Sequence, residues 1–225
     1  MAFPLTHLIV AREVLKLLPH YNPEDFLLGS IAPDAVHYRE EFVNASHLNI
    51  GPTKKITHLC PVSDEKWGQV TDNDSWVICV QDFLRKHPND SFMAGYAVHA
   101  LTDLYNNKTL WHNFRTKFPE VAAQGYGSGY YVDLRRIDNA LYFETLQGDI
   151  FTLLANATPK DLPNIILAKE VAEIQNNLLH VAYANIVPEN NISECTYLTY
   201  EEVQTFIKDA ALFCKNALRM SYKEC

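Results

Sequence analysis

The sequence predicts an all-α protein, a multi-helix single domain over residues 1–225. Apolar residues recur at helical spacings of three, four and seven, and recognisable helix-start signals precede several of these runs. No convincing β alternation and no internal repeat emerges. The length is enough to bury a sizeable core, although length alone leaves two domains open.

The elements follow in order. Leu5, Leu8, Ile9, Leu15 and Leu18 define an amphipathic helix over 4–18, with Pro4 in its first turn. Asn22-Pro23-Glu24-Asp25 opens a second, short helix carrying Phe26, Leu27, Leu28 and Ile31. Pro33 ends it and leaves Asp34 just past a helix end, where a carboxylate can turn inward. Residues 35–73 read as mixed loop and short helix. Asp72 or Asp74 caps a helix through Lys86, and Asn89 caps the next, which bears His99 and Asp103. The glycine-rich GYGSG at 125–129 precedes a long helical stretch to about Ala155. Thr158-Pro159, and Thr199 with Glu202 as a capping box, start the last helical segments.

Composition narrows the function. Hydrophobic residues make up 48% and charged residues 20%, ordinary globular usage rather than disorder. A net charge of -8 argues against a broad surface for long nucleic acids. It leaves open a phosphate ester bound at a metal, because the cations themselves supply the local positive charge. No run of roughly 18 apolar residues is present, so no transmembrane anchor is expected. The opening MAFPLTHLIVAREVLKLL lacks a basic start and is interrupted by His7, Arg12, Glu13 and Lys16, unlike a secretory signal. The five cysteines are odd in number and form no CxxC pair, which suits reduced thiols in a cytoplasmic protein. Asn-x-Ser/Thr triplets, as at Asn44 and Asn107, then read as coincidence.

The candidate chemistry starts at His99 and Asp103, which project from one helix face at i and i+4. Imidazole and carboxylate together are a favoured ligand set for zinc and similar divalent ions. A lone pair at this spacing is weak, and a satisfied core histidine is the plainer reading of His99. Asp103 shifts the balance: a buried carboxylate needs a cation, and no Arg or Lys lies within a turn of it. Three more ligand types sit upstream in distinctive contexts: His7 in THLIVA, Asp34 in GSIAPD and His58 in KKITHL. Read singly, they fit a boundary histidine, a turn residue and a surface histidine. Their joint occurrence points to a metal site assembled from several helices. His37, three residues after Asp34, can also reach it, while Arg39 reads as a phosphate contact or an ion pair with Glu40 or Glu41. His20 and His87 adjoin prolines in loops and face solvent; His47 and His180 have no ligand-like neighbour.

In the order THLIVA, GSIAPD, KKITHL and GYAVHALTD, the chain resembles the bacterial zinc-dependent phospholipase C family, whose superfamily includes the fungal single-strand-specific nucleases. The resemblance covers about residues 1–145, and the remainder, 156–225 included, carries no matching motif. It implies a helical phosphodiesterase fold with zinc ions held by His7, Asp34, His58, His99 and Asp103, Asp103 bridging two of them. His112 resembles the next family ligand, at a longer separation than usual. Two departures stand out. Secreted members use the amino group of a processed N-terminal tryptophan as a ligand, whereas this sequence starts with Met1. The family's further His-plus-Glu pair lacks its histidine here. Asp133, Asp138 and Glu144 fall in that region, and Asp138 is the first choice as substitute; the alternative is an exposed carboxylate paired with Arg135 or Arg136. The resemblance therefore implies two zinc ions rather than three, and hydrolysis of a phosphodiester such as a phospholipid head group or a small phosphodiester. A catalytically silent helical metal-binding protein is the alternative. A helical phosphohydrolase built on a His-Asp dipeptide ranks low, since the chain has no such dipeptide.

Overall fold

A computed structural model of the chain describes residues 3–44, 50–61, 69–186 and 191–221. Its helices are α1 (Pro4–Leu17), α2 (Pro23–Gly29), α3 (Glu40–Asn44), α4 (Ile50–Thr57), α5 (Asn73–Lys86), α6 (Ser91–Lys108), α7 (Leu110–Lys117), α8 (Pro119–Ala122), α9 (Gly129–Thr145), α10 (Ile150–Asn156), α11 (Ala168–His180) and α12 (Tyr200–Ser221). Three 3₁₀ helices, Ala32–Tyr38, Gly125–Gly127 and Asn191–Glu194, join them. Among the described residues the only β pairing is an isolated bridge between Leu162 and Ile166. The all-α prediction holds. No helix among these residues is long and apolar enough to cross a membrane.

α6 is the axis of the fold. It is buried without interruption from Phe92 to Leu104 and packs against α1, α2, α5, α7 and α12. A helix covered on every side carries its polar residues into the core. His99 and Asp103 are therefore interior groups, and one continuous core runs around them from Leu5 in α1 to Leu218 in α12.

Local signals set most helix starts. The Asn22 side chain accepts from the Asp25 N–H, Asp72 accepts from Ser75, and Thr199 and Glu202 cap each other's backbone as a reciprocal box. Four boundaries differ from expectation. Asp90, not Asn89, caps α6, because Asn89 takes a left-handed turn with φ 61°. α2 stops at Gly29, and Pro33 opens the 3₁₀ helix Ala32–Tyr38 instead of merely ending a helix, which puts Asp34 in its first turn. The predicted stretch from 129 to 155 is two helices, α9 and α10, with a break at 146–149. Thr158-Pro159 starts no helix: the buried Leu162 and Ile166 pair across an exposed turn, and α11 begins only at Ala168, where the Glu170 carboxylate accepts from the Leu167 N–H.

The backbones come into direct contact where α2 crosses α6. A Cβ built on Gly29 would fall 2.0 Å from the Phe92 carbonyl oxygen, and one on Gly95 would fall 2.0 Å from the Phe26 carbonyl oxygen. Both glycines belong to the motifs GSIAPD and GYAVHALTD. Their lack of a side chain lets the two backbones meet, which brings the end of α2 against His99.

Candidate metal centre

His99 is placed by that crossing. Its Nδ1 lies 2.7 Å from the Ser30 carbonyl oxygen. A carbonyl can only accept, so Nδ1 carries the ring hydrogen and Nε2 presents a bare lone pair. His58 is oriented from α4. Leu59 adopts a left-handed conformation (φ 54°), the Cys60 N–H returns to the Lys55 carbonyl and the Leu59 N–H to that of Ile56. This closing motif puts His58 at the C-cap of α4, just past Thr57, with its ring turned into the core. The Trp76 indole N–H, from α5, holds the His58 carbonyl at 2.9 Å. The Thr57 hydroxyl donates to the Lys54 carbonyl and stands 3.0 Å from His58 Nδ1. With its one proton spent, it can accept from Nδ1–H, the tautomer that turns the His58 Nε2 lone pair inward; in the other tautomer Nε2–H donates to Asp34 or His99.

The two Nε2 atoms face each other at 3.1 Å. With both rings protonated on Nδ1, two lone pairs meet there, and a cation between them would relieve the repulsion. A shared proton is disfavoured. Burial lowers the pKa of His58, helped by Lys54 and opposed by Asp34; burial, then His7, lowers that of His99 well below the usual histidine value. Both rings are fully buried and neutral at pH 7, the state in which imidazole ligates metals.

Asp34 completes this side of the cluster. Its Oδ1 is 3.3 Å from His58 Nε2 and its Oδ2 is 4.0 Å from His99 Nε2. Burial would raise its pKa, but Lys54 foremost, with His58 and His99, holds the carboxyl well below its ordinary range. At zinc–ligand distances of 2.0–2.1 Å, neighbouring ligands of a tetrahedral ion are about 3.3 Å apart. The His58–His99 and His58–Asp34 separations match that edge closely, and the His99–Asp34 separation is somewhat longer.

Asp103 spans the cluster. Its Oδ1 is 3.5 Å from His7 Nε2 and its Oδ2 is 3.6 Å from His58 Nε2. Burial would raise its pKa; contact with His7, then His58, keeps it ionised. His7, from α1, stacks on His99 with ring centroids 3.6 Å apart and planes 8° from parallel. It is buried, and among the described residues neither of its ring nitrogens finds a hydrogen-bond partner. A fully buried imidazole in that condition is costly without a further ligand, and a metal would supply one. The cluster thus contains two overlapping groups that can hold a metal ion: His7, His99 and Asp103, and Asp34, His58 and His99. His99 has one nitrogen left after its bond to Ser30 and can serve only one ion.

The structure brings five of the seven predicted ligands together and sets the other two apart. His112 is exposed on α7: the backbone bends at Thr109 (φ -120°, ψ -96°), and the new helix turns Trp111 and Phe114 inward instead. Asp138 lies outside both groups. It is buried rather than exposed and pairs with neither Arg135 nor Arg136; its Oδ2 accepts from the Tyr183 hydroxyl at 2.7 Å. Asp133 caps a loop, its Oδ2 accepting from the N–H groups of Thr196, Tyr197 and Leu198, and Glu144 is exposed. Arg39 grips Glu170 and the Ile165 carbonyl, not Glu40 or Glu41. Asn107, of one glycosylation-like triplet, is buried and donates to the Val70 carbonyl. His20 and His180 are exposed and His87 is half-buried beside Phe83; His47 lies outside the described residues.

Sequence reasoning missed Lys54. It sits one turn before His58 on the same face of α4, a signal of the kind that paired His99 with Asp103. Its Nζ is 2.6 Å from Asp34 Oδ1 and 3.0 Å from His37 Nε2. His37 accordingly reaches the edge of the cluster, 3.7 Å from Asp34 Oδ1, with a third of its side chain exposed. No protein-family model, no curated protein and no solved structure matches the chain. Fold and cluster together define an all-α protein with buried His/Asp groups that can hold a metal ion.

Proposed function

We propose that the chain is a zinc-dependent phosphoester hydrolase acting on a phosphodiester, such as a phospholipid head group or a small phosphodiester. The observation that carries the metal part is the convergence of the Nε2 atoms of His58 and His99, 3.1 Å apart, with Asp34 beside them. The phosphodiester part rests on the motif order, which resembles the zinc-dependent phospholipase C family. Asp34, His58 and His99 would hold one ion, and His7 with Asp103 would hold a second, the two carboxylate oxygens of Asp103 serving the two sides. When bound, such ions supply Lewis acidity for activating water and for neutralising charge on phosphoryl oxygens.

The chain's own residues do the positioning. Ser30 fixes the His99 tautomer, and Thr57 can accept from His58 Nδ1–H, so that both imidazoles would present Nε2 inward. Lys54 fixes Asp34, and Asp103 stays ionised between His7 and His58. Two carboxylates and one ammonium leave a single negative charge. One divalent ion would make the cluster positive and a second more so, which favours an anionic substrate.

A catalytically silent metal-binding protein is the second reading. The burial of His7, His58 and His99, each 1% exposed or less, favours it, because substrate needs a path to the ions. Protein stripped with chelator, reloaded with zinc and assayed on a phosphodiester panel separates the two. Turnover that appears only after reloading supports the hydrolase. Bound zinc without turnover supports the second reading, and no bound zinc overturns both.

A further inference from the structure

We propose that Lys54 is a built-in counter-ion of the metal centre: it lets the cluster fold without metal, and it weakens metal binding by competing with the ion for Asp34. The inference rests on the metal-binding part of the reading above and is independent of hydrolysis.

Lys54 is 1% exposed, and a lysine is almost never so buried unless paired. Its ammonium lies 2.6 Å from Asp34 Oδ1, the oxygen that also approaches His58 Nε2 most closely, at 3.3 Å. One oxygen therefore faces both the ammonium and the place where an ion bound by His58 would sit. The packing of α4 on the 3₁₀ helix Ala32–Tyr38 enforces this arrangement. Without metal, Asp34 and Asp103 are two buried carboxylates beside the neutral imidazoles of His58 and His99, and Lys54 is the cation that bonds to Asp34. Removing the ammonium leaves Asp34 buried and uncompensated, which destabilises the metal-free fold. The same removal takes a positive charge from beside an incoming cation, which strengthens binding.

The test uses the full chain, with zinc as the only ligand, and measures zinc affinity by competition with a chromophoric chelator. Lys54→Met should bind zinc at least about tenfold more tightly than the unmodified chain. Its metal-free melting temperature should fall by about 10 °C and recover when zinc is added. Lys54→Arg keeps the charge and should stay close to the unmodified chain in both readouts. If Lys54→Met does not fold without metal, the double variant Asp34→Asn/Lys54→Met, which removes both charges, should fold without zinc. Failure of that double variant to fold overturns the counter-ion role. Zinc affinity in Lys54→Met no tighter than in the unmodified chain overturns the competition. No zinc binding by either protein overturns the underlying metal reading as well.

Discussion

Gly29 lies against Phe92 and Gly95 against Phe26 across the α2–α6 crossing, so close that a methyl group on either glycine would strike that residue's main-chain carbonyl oxygen at 2.0 Å. Gly29 precedes Ser30, whose carbonyl fixes the His99 tautomer, and Gly95 lies one turn before His99. The packing of the fold and the orientation of a candidate ligand thus depend on the same contact.

Gly95→Ala should therefore cost about 3 kcal/mol or more of stability, because the clash is with backbone and no rotamer change relieves it. It should also weaken metal binding as Ser30 withdraws from His99. Urea denaturation checks the first effect. Stability within about 0.5 kcal/mol of the unmodified chain would show that the helices can separate freely.

Removing ligands should sort the two ions. His58→Ala should lose the ion shared with Asp34 and His99, whereas His7→Ala should lose only the one shared with Asp103. His99→Ala should be at least as damaging as His58→Ala, since it also removes the surface on which His7 stacks. Elemental analysis of purified variants gives the stoichiometry. Full metal content in His7→Ala would take His7 out of the centre.

Thr57→Val removes the hydroxyl that stands 3.0 Å from His58 Nδ1 and leaves the candidate ligands in place. Zinc affinity should fall by about 10- to 100-fold, the usual effect of losing such a supporting hydrogen bond. An unchanged dissociation constant would mean that packing alone orients His58.

Asp138 gives a prediction about pH. Burial raises its pKa to about 7, against the opposing pull of Tyr183 and Arg135. A carboxyl raised in the folded state contributes stability that is complete below its unfolded value near 4, and that is lost as pH rises through about 7. The chain should lose about 2–3 kcal/mol between pH 5 and pH 8 through this group, and Asp138→Asn should remove that loss. Neither Asp138→Asn nor His112→Ala should change bound metal. Denaturation at the two pH values, with metal analysis of both variants, checks this.

Helix starts governed by one side chain and the next turn were legible: Asn22, Asp72 and the Thr199–Glu202 box all act within three residues. The clustered candidate ligands were legible because His99 and Asp103 share a helix face and the other three sit in distinctive local contexts. What escaped depends on distant partners or on residues acting against type. Leu59 takes a left-handed conformation usually given to glycine, so the turn that aims His58 left no mark in the sequence. Lys54 is a lysine in the core, and lysines normally signal solvent. Asp138 answers to Tyr183, 45 residues away, and the outward turn of His112 follows from a backbone bend at Thr109.

The central claim is that His58 and His99 present their Nε2 atoms to one metal ion. An anomalous difference map at the zinc absorption edge, from crystals grown with zinc and free of metal-affinity tags, tests it directly. The account predicts a peak about 2.0–2.1 Å from both Nε2 atoms, with an Asp34 oxygen as a third ligand. A map with no peak between these two rings, or with zinc bound only elsewhere, would contradict it.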